Sequence, residues 1–342
     1  MRRIVTIAVA LALGACLVGC ALADKPIVVS RVTLGTAVKI TAYGDANAAR
    51  DAADGAFLVM DDVSAELDAY SQDTPVSRFN QDPYTPQELS TRALTVLDAI
   101  ERLDVAESFS PALLGVSALY GFESSETVPS TLQLEVAVAA ADSFSRDAGL
   151  ASFTMRTSDG VPPPGLDFGG AAKGLGLDEA LDGLRAGGVT DVVVSAGSTT
   201  VTLGKKPDDE PWRIGIEDPR DEERVLAVVE ALVPCAVSTS GDYQRYFEFD
   251  GVRYHHILNP VTGVSAHGLR SLTVFGPLDT LSGLDADILS TALFVMGAQK
   301  AETYARARGL GLYMVDDEGR TLVVPAPEDC GVRLVVETEP IR

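Results

Sequence analysis

The stretch that organises this chain runs from Val237 to Gly263 and reads V-S-T-S-G-D-Y-Q-R-Y-F-E-F-D-G-V-R-Y-H-H-I-L-N-P-V-T-G. Its first residues are rich in hydroxyl groups and glycine and predict a turn, followed by alternating aromatic residues. Asp250-Gly251 predicts a tight β-hairpin. The return strand carries His255 and His256, two of the three histidines in the chain. A rigid hairpin that presents imidazole beside a loop suits a functional site, and the alternative is a surface hairpin with incidental histidines.

The first residues form a segment typical of exported proteins. Met1-Arg2-Arg3 is basic, and Ile4 to Leu13 is an apolar run too short to span a bilayer. Leu17-Val18-Gly19-Cys20 has the pattern of a lipoprotein cleavage site, where the cysteine carries a lipid anchor. We therefore expect a lipoprotein signal peptide over residues 1–19, a tether over residues 20–26, and an exported protein that Cys20 anchors to a membrane outside the cytoplasm. Cleavage after Ala23, which would release the protein, is the alternative.

The composition excludes some classes of partner. The chain has 342 residues and a formal net charge of −22, so it repels nucleic acid, and we expect no nucleic-acid partner. Beyond residue 20 the only cysteines are Cys235 and Cys330. They either form a disulfide, which export permits, or act as small buried hydrophobic side chains. With 46% hydrophobic residues and no low-complexity linker, the chain predicts one large domain with two lobes.

Hydrophobic spacing predicts both strands and helices. Ile27 to Tyr43 alternates and predicts a strand or hairpin, and Asp45 is positioned to cap the helix that follows. Tyr70 to Asn80 predicts a polar loop, and Ser130 is a candidate cap for a later helix. Further strands are predicted over Ala151–Thr157, Val189–Gly197, Val201–Gly204, Trp212–Ile216, Leu269–Phe275, Leu310–Val324 and Val332–Val336, and further helices over Leu89–Leu103 and Asp279–Met296.

A glycine turn is predicted in Leu166-Asp167-Phe168-Gly169-Gly170-Ala171-Ala172-Lys173-Gly174. The pattern indicates a strand that ends in a turn and opens a helix extending through Leu184. Backbone N–H groups at such a turn can hold phosphate, and Lys173 adds a positive charge. A plain structural turn is the alternative, because joins of this kind are common.

A carboxylate and a hydroxyl lie four residues apart in the last long helix. Asp287 and Thr291 therefore emerge on one face of that helix. Oxygen ligands of this kind suit Mg²⁺, which needs only one or two carboxylates besides phosphate and water. The alternative is a solvated Asp287 and a Thr291 that bonds within its own helix.

Together these segments resemble the ApbE family of FAD:protein FMN transferases along nearly the whole length after the signal segment. The most specific matches are Thr-Ser-Gly-Asp-Tyr at 239–243, Tyr-His-His-Ile at 254–257, Pro-x-Thr-Gly at 260–263 and Asp-x-Gly-Gly-x-Ala-Lys-Gly at 167–174. Other matching segments are 34–36, 70–80, 119–122, 211–219 and 286–291. The resemblance implies an α+β fold over residues 27–340, a single domain of two lobes with mixed or antiparallel sheets flanked by helices, and an FAD site between the lobes.

The resemblance also implies a Mg²⁺-dependent enzyme that takes FAD as its substrate. Such an enzyme transfers the FMN half through a phosphoester to a Thr or Ser hydroxyl of an acceptor protein and releases AMP. The metal ligands implied are Asp287, Thr291 and the backbone carbonyl of Gly170, and the general base is His256. His255 is expected to be structural, because neighbours on a strand point to opposite faces. The residues implied for FAD are Leu34, Tyr70, Tyr120, Gly121, Phe122, Asp167, Lys173, Thr239, Ser240, Gly241, His256 and Ile257.

The chain departs from the family pattern at several positions. Ser110-Pro111-Ala112 stands for Asp-Pro-Thr, Gly197-Ser198-Thr199 for Gly-Gly-Asp, and Ser290 for a second Asp that some members carry. Leu34, Pro75 and Asn259 stand where Met, Glu and Asp are usual. The loss of several carboxylates bears on the rate and on the choice of acceptor more than on the fold.

Two other functions are compatible with the same residues. One is a Mg²⁺-dependent FAD pyrophosphatase that gives FMN and AMP, and the other is a non-catalytic flavin-binding lipoprotein. For the transferase, the resemblance suggests an exported flavoprotein acceptor, such as one of respiratory electron transport. The chain contains no convincing Asp-(Ser/Thr)-Gly-(Ala/Ser)-x-Thr acceptor motif of its own.

Overall fold

The computed structural model describes residues 25–122, 124–147 and 149–341. The expected signal peptide over residues 1–19, the lipid anchor on Cys20 and most of the tether therefore lie outside the described residues. Within the described ranges, no helix is both long and apolar enough to cross a membrane.

Strands and helices are interspersed along the described chain, which confirms the α+β class. In chain order the strands are β1 Ile27–Thr33, β2 Thr36–Tyr43, β3 Gln87–Glu88, β4 Phe144–Asp147, β5 Leu150–Phe153, β6 Asp191–Ala196, β7 Thr199–Leu203, β8 Trp212–Asp218, β9 Asp221–Ala231, β10 Cys235–Gly241, β11 Tyr246–Phe249, β12 Val252–His255, β13 Leu269–Pro277, β14 Gly311–Asp316, β15 Thr321–Val324 and β16 Val332–Ile341. The helices are α1 Ala46–Leu67, α2 Pro75–Gln81, α3 Thr91–Leu103, α4 Leu114–Tyr120, α5 Thr131–Asp142, α6 Ala172–Ala186, α7 Gly283–Met296 and α8 Ala298–Arg308.

Eight strands form one antiparallel sheet in the order β1-β2-β6-β7-β10-β13-β14-β15. Smaller sheets have the orders β16-β9-β8 and β3-β5-β4, and β11 and β12 form a separate hairpin. Strand β10, which begins the stretch quoted first, is therefore central in the large sheet. Ala236 to Ser238 pair with both β7 and β13, and Thr239 to Gly241 at the C-terminal end pair with β13.

The two faces of the large sheet have separate cores. Successive residues of a strand point to opposite faces, so in β10 Ala236 packs into the larger core and Val237 into the smaller one. Helices α1, α3, α6 and α7 contribute to the larger core. Trp212 of β8 and Val229 of β9 contribute to the smaller core. The single domain thus has two packed lobes that share one sheet.

The predicted helix caps are present. Asp45 Oδ1 accepts hydrogen bonds from the backbone N–H groups of Asn47 and Ala48 at 3.1 and 2.9 Å, which stabilises the start of α1 by about 1 kcal/mol. Ser130 caps α5 through the backbone N–H of Gln133. Apolar residues of α1 at helical spacing are buried: Ala56, Met60, Val63 and Leu67.

The predicted hairpin is also present. Phe249 and Val252 pair across its two-residue turn. Asp250 and Gly251 have φ angles of 49° and 75°. Two successive left-handed residues match the twist of the flanking strands in the tightest hairpin turn, and Asp-Gly tolerates them well.

Three local predictions are wrong. Thr239 to Gly241 form the end of β10 rather than a turn, because pairing with β13 takes up their backbone groups. Pro75 to Asn80 belong to α2 rather than to a polar loop, since Thr74 and Ser77 form a capping box and proline suits the first helical turn. No strand is described immediately before the glycine turn, where residues 166–170 have no regular pairing.

Both cysteines of the domain are free thiols. Cys235 is fully buried, and burial raises the pKa of its thiol to about 12. Its sulfur accepts a hydrogen bond from the Thr202 hydroxyl at 3.4 Å. Cys235 therefore packs as a small hydrophobic side chain, the second of the two interpretations.

Candidate active site

One solvent-open cavity brings together most of the residues implied for the site. It has a cavity volume of about 170 Å³, which is below the roughly 300–1,000 Å³ of typical small-molecule sites. Its walls come from the segment after α3, the glycine turn, the end of β10, the segment after β12 and helix α7. The expected site residues that line it are Asp167, Gly170, Lys173, Thr239, Ser240, His256, Ile257, Asp287 and Thr291.

Asp287 lines this cavity from α7 and is only 3% exposed. Its Oδ2 accepts a hydrogen bond from the backbone N–H of Gly174, and its Oδ1 accepts one from the Thr199 hydroxyl, both at 3.0 Å. Lys173 Nζ lies 3.1 Å from Oδ1. Burying a carboxylate costs free energy unless it is both paired and hydrogen-bonded, and Asp287 has both kinds of partner.

Two glycines let α6 and α7 approach closely beside Asp287. A Cβ on Gly174 would overlap the carbonyl oxygen of Gly283, and a Cβ on Gly283 would lie 2.7 Å from Asp178 Oδ1. Asp178 caps α7 by accepting the backbone N–H groups of Gly283 and Leu284 at 2.7 and 2.9 Å. Burial raises the pKa of Asp178 to about 6. This packing fixes the glycine turn relative to α7.

A chain of hydroxyl groups extends from the Asp287 carboxylate to Thr291. Thr199 Oγ1 lies 2.9 Å from Ser238 Oγ, and Ser290 Oγ lies 3.3 Å from the same atom. Ser240 Oγ lies 2.9 Å from Ser290 Oγ and 3.0 Å from Thr291 Oγ1. Neutral hydroxyls therefore occupy the position of Thr199, where the family pattern has Asp, and that of Ser290, where some members have Asp.

Polar side chains, rather than a strand, position the glycine turn. Asn80 donates to the carbonyl oxygen of Leu166 at 2.9 Å and accepts the backbone N–H of Leu166 at 2.7 Å. The Tyr70 hydroxyl donates to Asp167 Oδ2 at 2.7 Å. The backbone N–H of Gly169 donates to Asp167 Oδ1 at 2.8 Å. Hydrogen bonds from Tyr70 and Gly169 thus orient Asp167 just before the start of α6.

The two neighbouring histidines have different environments. His255 is buried, and its Nε2 lies 2.7 Å from the carbonyl oxygen of Ala266, as its expected structural role requires. His256 lines the cavity, with Nδ1 3.3 Å from the carbonyl oxygen of Arg245. Because a carbonyl only accepts, Nδ1 carries the proton and Nε2 keeps its lone pair. Burial, followed by the positive charge of Arg245 and more weakly that of Lys173, lowers the pKa of His256 to about 3.

A second cavity adjoins the first and shares Ser117 and Arg245 with it. Tyr70, Gly121 and Phe122, all implied for FAD, line this second cavity. Aromatic faces and a guanidinium group suit contact with a flat ring system. The two cavities together divide the implied FAD residues between a polar part and an aromatic part.

Three residues implied for FAD line neither cavity. Tyr120 is 1% exposed, and its ring stacks on that of Phe122 with a centroid distance of 5.1 Å. Gly241 is buried in β10. Leu34 packs against α6, where a Cβ on Gly176 would lie 2.8 Å from Leu34 Cδ1. In this arrangement Tyr120, Gly241 and Leu34 support the walls rather than form them.

The oxygen atoms at and near Asp287 are of the kinds that bind Mg²⁺ in proteins. Asp287 supplies a carboxylate, Thr291 a hydroxyl and Gly170 a backbone carbonyl, and all three line the cavity. The Lys173 ammonium lies 3.1 Å from Asp287 Oδ1, so the cation beside this carboxylate in the structure is a side chain. Within the described ranges no group of three or more His, Cys, Asp or Glu residues could hold a metal. A single carboxylate leaves the remaining coordination to substrate phosphate and water, which is usual for Mg²⁺.

Sequence reasoning missed Asp178 and Arg245, and it identified Thr199 only as a departure from the family pattern. Asp178 follows Gly174 by four residues, so helical spacing could have placed it on the face that meets α7. Arg245 stands inside the hairpin stretch and carries a charge suited to phosphate. Thr199 has no comparable local signal, because its contact with Asp287 depends on the order of strands in the sheet.

Comparison with known proteins gives consistent matches. A model of the ApbE family matches residues 34–314. A curated relative from Haemophilus influenzae named FAD:protein FMN transferase is 30% identical over 329 residues, which cover 92% of this chain and 93% of the relative. A relative of the same name from Vibrio cholerae is 32% identical over 261 residues, which cover 75% of this chain and 77% of the relative.

Solved structures share the fold. An ApbE protein from Thermotoga maritima has a TM-score of 0.74 at 29% identity, with 87% of this chain and 96% of that chain covered. The flavin transferase ApbE from Vibrio cholerae has a TM-score of 0.73 at 27% identity, with 92% and 98% covered. Sequence and fold therefore agree along almost the whole described chain.

Proposed function

The chain belongs to the ApbE family, and we infer that it is an FAD:protein FMN transferase. We propose that Mg²⁺ supports the reaction, that the FMN half of FAD passes to a Thr or Ser hydroxyl of an acceptor protein, and that AMP leaves. The observation that carries this proposal is the cavity in which Lys173, Asp287 and His256 come together beside the glycine turn.

Positive charge in the cavity suits the diphosphate of FAD. Negative charge is concentrated on the phosphoryl group during transfer, so catalysis depends on placing cations and N–H donors around it. Lys173 and Arg245 line the cavity, and the N-terminus of α6 adds its partial positive charge. These groups bind the diphosphate and orient its phosphorus atoms toward His256.

In the proposed step the acceptor hydroxyl oxygen attacks the phosphorus of the FMN half. The bond from that phosphorus to the oxygen that bridges to the AMP phosphate breaks, and AMP leaves with the bridging oxygen. The hydroxyl proton passes to Nε2 of His256, the nitrogen that has a lone pair in the neutral ring. FMN is then joined to the acceptor through a phosphoester.

Asp287, Thr291 and the carbonyl oxygen of Gly170 would hold the metal. When bound, Mg²⁺ offsets the negative charge of the diphosphate. Ser240 lies 3.0 Å from the Thr291 hydroxyl and orients it from β10. The departure at Ser290 leaves Asp287 as the single carboxylate of this ligand set, so substrate phosphate contributes more to metal binding.

The test is incubation of the purified protein with FAD, Mg²⁺ and a protein domain that contains an Asp-Ser-Gly-Ala-x-Thr segment. We expect a fluorescent acceptor band that persists on a denaturing gel and an acceptor mass increased by that of an FMN group. The same domain with its acceptor Thr replaced by Val is the control. No band, with FAD left intact, would overturn the proposal.

Hydrolysis of FAD is a second candidate, because the cavity opens to solvent and water can approach the same phosphorus. Chromatography of FAD incubated with the protein and Mg²⁺ but without acceptor separates the two activities. Accumulation of FMN and AMP would favour hydrolysis, whereas undiminished FAD after long incubation argues against it.

We also propose that the protein works outside the cytoplasm, lipid-anchored at Cys20, on exported flavoproteins such as those of respiratory electron transport. The basic and apolar start of the chain and the Leu17–Cys20 pattern support this localisation. Metabolic labelling with a fatty acid should mark the natural chain and not the Cys20→Ala variant. Equal labelling of both would contradict the anchor.

A further inference from the structure

A wide apolar groove lies beside the active-site cavity, and the proposed reaction does not use it. Its walls are the segment 106–113, helix α5 and the loop 260–264. Ser110 and Leu113 line both the groove and the cavity, so a single layer of residues separates the two. Anything seated in the groove therefore lies against residues that also line the cavity.

The loop 260–264 presents apolar side chains on a fixed backbone. Val261 is 65% exposed and Val264 is 41% exposed. Asn259 fixes the loop, because its Oδ1 accepts the N–H of Val261 at 2.9 Å and its backbone carbonyl accepts the N–H of Gly263 at 2.8 Å. Gly263 has a φ of 72° and lies against Val138 of α5. A surface ordered in advance loses little conformational entropy on binding.

The groove and the cavity differ in charge. Glu107, Glu135 and Asp142 are exposed along the groove, and no Lys, Arg or His is among the described residues that line it. Within the described ranges none of these three carboxylates has a side-chain partner. The cavity, in contrast, has Lys173 and Arg245 beside its two carboxylates, Asp167 and Asp287. The diphosphate of FAD therefore meets cations in the cavity and only negative charge in the groove, and that negative charge attracts basic side chains.

We propose that this groove docks the acceptor protein through a segment with apolar side chains flanked by Lys or Arg, which brings the acceptor hydroxyl to His256. The proposal rests on the proposed function, in which a protein must deliver a hydroxyl to a phosphorus beside His256. The groove shares Ser110 and Leu113 with the cavity that His256 lines, so a segment seated on Val261 and Val264 lies beside the wall of the cavity that contains the base. FAD occupies the cavity, which leaves the adjoining groove for the protein.

The test measures binding and transfer separately. The probes are two fluorescent peptides with the segment Asp-Ser-Gly-Ala-Ala-Thr, one flanked by lysine pairs and the other by glutamate pairs. The groove variants are Val261→Ser and Glu135→Lys. Their matched controls are Val32→Ser and Glu328→Lys, which change exposed residues outside the groove. Peptide Kd is measured by fluorescence anisotropy with FAD present, and FMN transfer is measured on the same samples.

We expect the natural chain to bind the lysine-flanked peptide about 10-fold more tightly than the glutamate-flanked one, because opposite charges meet in the groove. Glu135→Lys should remove most of that preference, and Val261→Ser should weaken binding of both peptides about 3-fold through lost apolar contact. Both controls should bind as the natural chain does.

Equal Kd values for groove variants and controls would overturn the docking proposal. The docking proposal would also be overturned if analytical ultracentrifugation showed a dimer of the natural chain that Val261→Ser dissociates. A second copy of the chain would then cover the groove. Peptide binding with the expected preference but without FMN transfer would contradict the transferase function and support docking. If FMN transfer occurs and no groove variant changes it, the transferase function is supported and the docking proposal is contradicted.

Discussion

Lys173 and Asp287 form an ion pair where α6 meets α7, with Lys173 Nζ 3.1 Å from Asp287 Oδ1. The pair joins the glycine turn to the helix that carries the proposed metal ligands. Asp287→Asn removes the carboxylate charge and leaves Lys173 without its partner. We expect transfer to fall by about 100-fold or more, as when a charge-stabilising group is lost. The measurement is the rate of acceptor flavinylation at saturating FAD over a Mg²⁺ titration.

Asp285→Asn is the matched control for this prediction. Asp285 lies two residues earlier on α7 and forms a two-point ion pair with Arg102 of α3 at 3.0 and 2.6 Å. It does not line the cavity. Its replacement should lower the free energy of unfolding by about 1–2 kcal/mol, since Arg102 is partly exposed, and should leave the Mg²⁺ dependence unchanged. Equal loss of activity in the two variants would contradict the role given to Asp287.

Gly174 is a position where helix packing excludes any side chain. Gly174→Ala places a Cβ against the backbone of Gly283 and forces α6 away from α7. We expect a loss of about 1–3 kcal/mol in the free energy of unfolding, with slower transfer because the glycine turn moves relative to Asp287. Gly183→Ala, on the same helix, meets no atom within 4 Å and should stabilise by about 0.5–1 kcal/mol. Urea unfolding of both variants gives the comparison, and effects of the same sign would contradict the packing argument.

An ion pair also connects the β8–β9 turn with the stretch that follows β10. Arg220 meets both oxygens of buried Asp242 at 2.7 Å. Arg220→Lys keeps the charge but cannot form two parallel bonds, so we expect a loss of about 1–2 kcal/mol in stability. Because Arg245 lies three residues after Asp242, the KM for FAD should rise more than kcat falls.

Thermal unfolding and steady-state kinetics check the Arg220 prediction. Arg320→Lys is its control, because Arg320, which pairs with Asp316, is 74% exposed and does not line the cavity, so this ion pair contributes little. Unchanged melting temperature and KM in Arg220→Lys would show that the Arg220–Asp242 pair does not position the cavity.

Local signals made part of the site predictable from sequence. The Asp250-Gly251 turn, the Asp45 cap and the four-residue spacing of Asp287 and Thr291 depend on neighbours in the chain. Each is found as expected, with Asp287 and Thr291 both lining the cavity. Interactions between residues close together in the chain thus determine these local structures and the side chains that they place at the site.

Contacts between residues far apart in the chain produced the features that the sequence did not predict. Thr239 to Gly241 favour a turn by composition, but β13 pairs with them and makes them a strand. The bond from Thr199 to Asp287 depends on the adjacency of β7 and α7, which no local pattern specifies. The Tyr120 hydroxyl donates to the carbonyl oxygen of Gly263 at 3.0 Å, a contact between distant parts of the chain that no local pattern specifies either. At Thr239 to Gly241 the tertiary contact overrides a local tendency.

The last prediction concerns the pH dependence of His256, whose pKa is lowered to about 3 in the folded chain. In the unfolded chain a histidine titrates at about 6.5. Between about pH 6.5 and pH 3 the unfolded chain therefore binds a proton that the folded chain does not, and the free energy of unfolding falls as the pH falls. His256→Gln removes this contribution, so its stability should decline less steeply over the same window.

Activity separates the catalytic role of His256 from its effect on stability. The neutral ring keeps the Nε2 lone pair, so protonation of His256 should not reduce transfer between about pH 7 and pH 5, whereas His256→Gln should lower transfer about 100-fold at every pH in that range. Nuclear magnetic resonance of the His256 ring, assigned by comparison with His256→Gln, follows the protonation directly. A titration midpoint near the ordinary histidine value of about 6.5 would contradict the prediction, because Nε2 would then be protonated over much of the range in which the base must accept a proton.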